Sequence, residues 1–379
     1  MAKTKEVLQS ELNAAEGVLY MALELSDKSW KMALSAGGIK VRRYGVEGGD
    51  RAGLLAAIEK AKARLGLAGA VKVKCCYEAG RDGFWVHRFL SEAGIENIVV
   101  DSSSIEVSRR QRRAKTDRLD AGKLLSMLIR HCGGEREVWQ VLRVPTRAEE
   151  DARRTHRELE CLGREHTRHT NRIGSLLALH GLRAKNIGGR GWDERLAGYC
   201  RQLAAHEAAE LERESARLTL VKQQMHAIQA AQGELLKSVQ GLQILRLARL
   251  AGIGAKGAWV LFYEFFWRRF NNRREVASCA GLTGTPYQSG EMSREQGISK
   301  AGNKRIRWLI VEQAWSWLRY QPESELSRWY EERFAGGGQR LRRIGIVALA
   351  RKLLIAIWRY LEQGVIPAGA RLKAGVSRA

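Results

Sequence analysis

The chain has no apolar run approaching the roughly 18 residues that a membrane span needs. Its best candidate, Ile344 to Trp358, is interrupted by Arg351 and Lys352. The first residues, MAKTKEVLQSELNAAEG, lack the apolar core of a signal peptide. Cysteine is scarce and unpatterned: Cys75, Cys76, Cys132, Cys161, Cys200 and Cys279 form no CxxC pair and no zinc spacing. They read as small buried hydrophobes in a reducing cytoplasm. Carboxylates are short as well, 41 against 65 lysines and arginines, so 379 residues carry a net charge of +24. A membrane-surface protein would gather such charge beside one amphipathic helix. Here it is spread over every segment, the electrostatic footprint of a nucleic-acid partner. The expected setting is cytoplasmic and nucleoid-associated, with no membrane partner.

The first third alternates strands and helices. Val18 to Leu25 is nearly continuous in apolar residues, the mark of a strand buried on both faces. Lys31–Ser35 and Lys40–Tyr44 are short strands to either side of Ala36-Gly37-Gly38. The pattern then predicts a helix over Ala52–Leu65, a strand over Val71–Tyr77, a helix over Phe84–Ala93, a strand over Ile95–Val100 and a helix over Lys115–His131. That order of three strands, helix, strand, helix, strand, helix is the order of a ribonuclease-H-like domain.

Residues 146–241 are polar and helical. Leu211, Leu218, Val221, Met225, Ile228, Leu235, Val239 and Leu242 are spaced as a heptad seam, the spacing of a coiled coil that joins protomers or folds back within one chain. The glycine-rich break from Asn186 to Trp192 suits the turn of an antiparallel helical hairpin, with Pro145 close to its start. Residues 242–379 are helical and rich in tryptophan (Trp259, Trp267, Trp308, Trp315, Trp317, Trp329, Trp358), which we read as core, with base stacking as the alternative role. Ile346, Leu349, Leu353, Ile357 and Leu361 form a helical core stripe. The fold class is therefore α/β plus all-α, over 1–145, 146–241 and 242–379.

Chemistry concentrates in Ser108 to Lys123. Arg109, Arg110, Arg112, Arg113, Lys115 and Arg118 surround Asp117 and Asp120, which share one helical face. Such a run is either a solvated helix start or a pair of carboxylates for Mg²⁺ or Mn²⁺ with cations for a phosphodiester backbone. Glu24 lies in the buried strand, where a carboxylate is expensive unless paired or metal-bound. Glu78 closes the strand VKVKCCYE. Two strand acids and two helix acids make the kind of set that a two-metal site requires.

Two further segments carry chemistry. Gly252-Ile-Gly254 between helical runs is either a tight turn or a loop that offers backbone N–H groups to phosphate. Ser289, in Gln-Ser-Gly, precedes the basic side chains Lys300, Lys304, Arg305 and Arg307. A serine attacking phosphorus would conserve bond energy for strand exchange; a plain hairpin turn is the default for so short a motif.

Taken together, Tyr77-Glu78-Ala79, Lys115-Thr-Asp117-Arg-Leu-Asp120-Ala, Gly252-Ile-Gly254, the Ala277 to Gly290 stretch and Gly297-Ile-Ser-Lys-Ala-Gly-Asn-Lys resemble the DEDD transposases of the insertion-sequence family numbered one hundred and ten, which includes the Piv-type DNA invertases. The resemblance implies a RuvC-like nuclease domain, a coiled-coil insert and a C-terminal transposase domain. It implies Glu24, Glu78, Asp117 and Asp120 as the metal-binding acids and Ser289 as the nucleophile. The family usually has aspartate where Glu24 stands, and Asp27 is the fallback ligand. The implied partners are element-end and target DNA, a structured noncoding (bridge) RNA, and other copies of the chain in a dimer or tetramer. The expectation is a DNA transposase that excises and inserts its element through serine–DNA intermediates with Mg²⁺. The alternatives are a RuvC-like nuclease or resolvase of branched DNA, which does not need Ser289, and a catalytically silent nucleic-acid-binding protein.

Overall fold

The computed structural model describes residues 17–38, 40–67, 71–105, 117–289 and 292–373, with the backbone alone for 103, 117–120, 287–289 and 292–296. Two compact units divide it, Met1–Pro145 and Thr146–Ala379. Among the described residues no helix is long and apolar enough to cross a membrane.

The first unit runs β1 (Val18–Glu24), β2 (Ser29–Ser35), β3 (Arg42–Glu47), α1 (Arg51–Arg64), β4 (Lys72–Glu78), α2 (Trp85–Glu92), β5 (Glu96–Val100) and α3 (Asp117–Cys132). This is the expected order of elements, with ends shifted by up to three residues. The strands form one mixed sheet in the order β3-β2-β1-β4-β5. β1 pairs antiparallel with β2 and parallel with β4, and β4 is parallel to β5. The continuity of the β1 apolar run has a simple cause: both faces of the strand are covered. Leu19, Met21 and Leu23 pack with Leu54 and Ile58 of α1 and with Val86 and Leu90 of α2. Val18, Tyr20 and Ala22 pack on the other face, with Ala33 and Cys76, against Ala121, Leu124, Leu125 and Leu128 of α3. Each face follows the two-residue period of the strand.

The second unit opens with a capping box, in which Thr146 Oγ1 accepts from Glu149 N and the Glu149 carboxylate accepts from Thr146 N. There follow α4 (Arg147–Asp151), α5 (Arg154–Leu179), α6 (Trp192–Cys200) and α7 (Ala205–Leu235). α5 and α7 lie antiparallel. Near one end Gln232 Nε2 donates to Thr155 Oγ1 at 3.3 Å; farther along, His169 bonds Glu214 at 2.6 Å and His180 bonds Glu207 at 3.1 Å. The hairpin was expected, but the seam needs correction. Leu211 and Leu218 are buried with Ile173, Leu177 and Trp192 of the same chain, and Val221 is buried on the same helix. The helix then stops at Leu235. Val239 and Leu242 belong to the next helix, α8 (Val239–Arg249), where Ser238 Oγ accepts from Gly241 N, and both are exposed along with Leu235. No single heptad seam therefore runs from Leu211 to Leu242.

After α8 come α9 (Ala255–Leu261), a π-turn over 262–266, α10 (Arg273–Cys279), the hairpin β6 (Gly284–Ser289) and β7 (Met292–Ile298), α11 (Lys304–Tyr320), α12 (Glu325–Tyr330) and α13 (Gln339–Gln363). Ile346, Leu349, Leu353 and Ile357 of α13 are buried in one core with Trp259, Trp317 and Trp358, and Leu361 packs at its margin. Two tryptophans depart from the reading as core: Trp308 is 60% and Trp315 46% exposed. They lie on the opposite side of α11 from the buried Ile306, Ile310 and Trp317. The cysteines divide likewise. Cys75 and Cys76 are buried, Cys132, Cys200 and Cys279 half-buried, and Cys161, contrary to expectation, is exposed on α5.

The segment after α13 straps the second unit together. Leu372 bridges Leu250, Arg371 N donates to Gln321 Oε1 at 2.7 Å, and Lys373 Nζ donates to the carbonyls of Ala248 and Ile253 at 2.9 Å.

Candidate active site and nucleic-acid interface

Glu24 and Glu78 are the last residues of β1 and β4, two adjacent parallel strands whose register runs to Leu23 opposite Tyr77. Strand alternation carries both acids to the face on which Ala22 and Cys76 pack against α3. Glu24 Oε2 is shielded from solvent, whereas Glu78 is exposed and lines a cleft of about 220 Å³ with Leu25, Ser26, Asp27, Gly80, Arg81 and Asp82. Within that cleft Asp27, the fallback ligand, is ion-paired with Arg81.

The direction of α3 bears on the other two acids. The Cys76 thiol donates to the carbonyl of Leu124 at 3.8 Å. Toward the other end of the helix, burial pushes the Cys132 thiol up, and the charges of Lys74 and Glu96, near the starts of β4 and β5, act on it. The helix therefore runs antiparallel to β4, and its first turn points to the strand ends that carry Glu24 and Glu78. Positions 117 and 120 belong to that first turn, one helical turn before Ala121 and Leu124, which pack on the sheet. The Asp117, Arg118 and Asp120 side chains, and all of Arg109, Arg110, Arg112, Arg113 and Lys115, lie outside the described residues. Among the described residues no three His, Cys, Asp or Glu side chains cluster as a metal site. Glu24 and Glu78 supply hard oxygen donors from neighbouring strands, a donor set that fits Mg²⁺ or Mn²⁺.

Ser289 ends β6 and pairs with Met292 at the last rung of the hairpin ladder. The base of that hairpin is clamped to the start of α11. Ser299 N donates to Thr283 O at 2.8 Å, and Asn303 N to Cys279 O at 2.8 Å. Gly281 and Gly302, with φ of +67° and +108°, permit this approach: a Cβ on them would lie 2.2 Å from Ala301 O and 2.4 Å from Cys279 O. Lys300 also adopts a left-handed φ of +57°. Lys300 and Lys304 are exposed. Arg305 is ion-paired with Glu160, and Arg307 Nη1 donates to Ala280 O at 3.2 Å, so these two cations also hold the hairpin base and α11 in place.

In the Gly252-Ile-Gly254 turn, the φ of Gly252 is +90° and a Cβ there would lie 3.2 Å from Trp317 Cα. Ser316 Oγ donates to Gly252 O at 2.7 Å. Close packing on α11 thus accounts for the first glycine, and Gly254 is the exposed N-cap of α9.

One functional group escaped the sequence reading. Glu264, 4% exposed within the π-turn, accepts from Arg157 Nε at 2.6 Å, from Arg157 Nη2 at 2.8 Å, and bonds His156 Nε2 at 2.9 Å. Asn303, the N-cap of α11, donates to the Glu264 carbonyl at 3.4 Å. This pin joins the root of α5 to the start of the helix that follows the serine hairpin. Its signal was the single acid in the apolar run WVLFYEFF. Burial by itself would raise the carboxyl pKa; the Arg157 and His156 hydrogen bonds outweigh it and hold the value at about 2. The folded-state pKa lies below the unfolded one, so the stabilisation is complete above about pH 4.5 and is lost as pH falls toward 2. Denaturant titrations across that window should show a loss on the order of 3 kcal/mol from this group. Glu264→Gln should carry the loss already at neutral pH and give a flatter profile. Equal slopes for parent and variant would remove Glu264 from the account.

Comparisons with known proteins identify the family. Residues 245–328, from the end of α8 through the serine hairpin into α12, match the profile described as "Transposase IS116/IS110/IS902 family". The chain is 42% identical to "Putative transposase y4rJ" of Sinorhizobium fredii, over 94% of this chain and 95% of that protein. The chain belongs to the IS116/IS110/IS902 transposase family. It is also 28% identical to "Putative transposase y4qE" of the same organism, over 75% of this chain and 67% of that one. This family member is accordingly a DNA transposase, an enzyme whose partner is DNA, and the strong positive charge of the chain suits that partner.

Proposed function

We propose that the protein excises and inserts a DNA element through a covalent serine–DNA intermediate, with a RuvC-like, ribonuclease-H-type first unit and Mg²⁺-assisted chemistry. The observation that carries this reading is the placement of Glu24 and Glu78 at adjacent strand ends, on the sheet face toward which the first turn of α3 points. Glu24, Glu78, Asp117 and Asp120 would hold Mg²⁺, or Mn²⁺ in its place. When bound, the metal would neutralise charge on the phosphodiester and lower the cost of ionising the attacking oxygen.

Ser289 Oγ attacks phosphorus, forming a P–Oγ bond as the bond from phosphorus to one sugar oxygen breaks; that oxygen leaves as a hydroxyl with the serine's proton. Attack by a hydroxyl of a second strand reverses the chemistry on a new partner and frees the serine, so no external energy source enters. Lys300 and Lys304, both exposed, would meet phosphate oxygens near the hairpin base. The same reading includes a structured noncoding RNA that pairs with donor and target DNA, and a dimer or tetramer that holds two DNA partners together.

The test is to incubate the protein with supercoiled plasmid carrying the element and its flank, together with the flank-derived RNA, in Mg²⁺, and to quench in detergent. Broken DNA that remains attached to protein until protease is added supports the reading. Broken DNA free of protein replaces it with the hydrolytic nuclease. Duplex affinity should fall with a log–log salt slope of about −0.9 per phosphate neutralised, the run from Arg109 to Arg118 accounting for several. A flat dependence returns those arginines to a solvated surface.

A further inference from the structure

Six residues of α11 are exposed; Tyr320, the last, stands apart, and Lys304, Trp308, Glu312, Trp315 and Arg319 share one face. At 3.6 residues per turn the four other than Glu312 fall in one row, with Glu312 on its flank. Trp308 is 60% and Trp315 46% exposed, whereas Trp317, two positions on, is fully buried. The Trp315 ring meets Tyr330 edge-on at 6.4 Å, so that indole is held in orientation while its exposed surface stays open. Seven residues of helix separate the two indoles by roughly 10 Å, about three nucleotides of stacked single strand.

We propose that this face is a stacking platform for the bases of an unpaired DNA strand, on the helix whose start is bonded to the base of the β6–β7 hairpin. The proposal takes its partner class from the nucleic-acid reading above. Charge says which part of the strand goes where. Cations stand at both ends of the row, Lys304 and Arg319, and the carboxylate of Glu312 stands between. The ends suit phosphate and the middle repels it, so the middle takes uncharged bases, for which an indole is a sequence-tolerant partner.

Charge also argues against a second copy of the chain as the occupant. In an antiparallel pairing of two such helices Lys304 would face Arg319, and in a parallel pairing each cation would face its own counterpart. Like charges would meet in either orientation, in a chain already at +24.

The experiment uses the full chain, a fluorescent single-stranded thymidine twenty-mer and a blunt duplex of the same length, without metal. The double variant W308A/W315A should bind the single strand about tenfold more weakly for each indole removed. Its duplex affinity should change less than twofold, and W308F/W315F should restore most of the single-strand affinity. Undiminished single-strand binding, or an equal loss for both probes, overturns the proposal. So does a smaller assembly in light scattering for the alanine variant, which would make the face a subunit contact. Neither probe carries an element end and no strand is cut, so failure of the serine chemistry would leave this result standing, and the reverse also holds.

Discussion

Ser289→Ala is expected to abolish the protein–DNA adduct and strand exchange together, while DNA binding stays within about twofold of the parent. The asymmetry follows from what the hydroxyl does. As a nucleophile it is one of the two atoms of the bond that forms, so its removal leaves no alternative donor at that place; activity should drop by several orders of magnitude. For the fold the serine hydroxyl is expected to matter little, since the hairpin is held at its base by Thr285 Oγ1 on Gly297 O, at 3.0 Å, and by the backbone bonds to α11. The readouts are a denaturing gel of labelled element-end DNA with its RNA and a melting curve. An adduct that persists in the alanine variant moves the nucleophile elsewhere. Recombination that persists removes the serine mechanism altogether. A second variant, Ser289→Cys, separates loss of chemistry from loss of shape: a thiol that becomes joined to DNA, even slowly, keeps the position as the point of attachment.

The two halves of the chain differ in how plainly the sequence announces them. In the first unit the signals are local and agree with the packing. The run from Val18 reads as a doubly buried strand because Leu19 and Tyr20 each find a separate core. Glu24 and Glu78 stand out for the same reason, being carboxylates at the ends of such strands. In the second unit residue type misleads. Trp315 and Trp317 are equally apolar, yet two positions on a helix are about 200° apart, so both could not face one core. That geometric signal was present and was overridden by composition. The heptad spacing carries on past Leu235 although the helix does not, because Ser238 caps a new helix with its Oγ accepting from Gly241 N. Glu264 was hidden by distance: its partners His156 and Arg157 lie more than a hundred residues earlier, and nothing local links them.

Glu78→Gln is expected to stop DNA cleavage, whereas Asp27→Asn, in the same cleft, should leave it within a few-fold of the parent. Both carboxylates line the space beside Arg81, but they are placed differently. Glu78 is the terminal residue of β4, on the sheet face shared with Glu24, and an amide in its place keeps the shape while removing the charge that a divalent cation requires. If metal binding supplies several kcal/mol of charge stabilisation, the rate should fall by about 10³-fold or more. Asp27 lies outside the strand, and its carboxylate is already paired with Arg81 at a site where both side chains are 70% exposed. Such an exposed, solvent-screened pair contributes little. Glu24 sharpens the contrast. Glu24→Gln should behave as Glu78→Gln does, and Glu24→Asp should retain activity, because a shorter carboxylate still offers hard oxygens from the same strand end. Cleavage rates at saturating Mg²⁺, with calorimetric Mn²⁺ titration of the same variants, provide the measurement. Asp27→Asn losing both metal affinity and cleavage while Glu24→Gln keeps them would move the ligand from β1 to the turn after it. Glu78→Gln retaining full Mn²⁺ affinity and cleavage would take β4 out of the site.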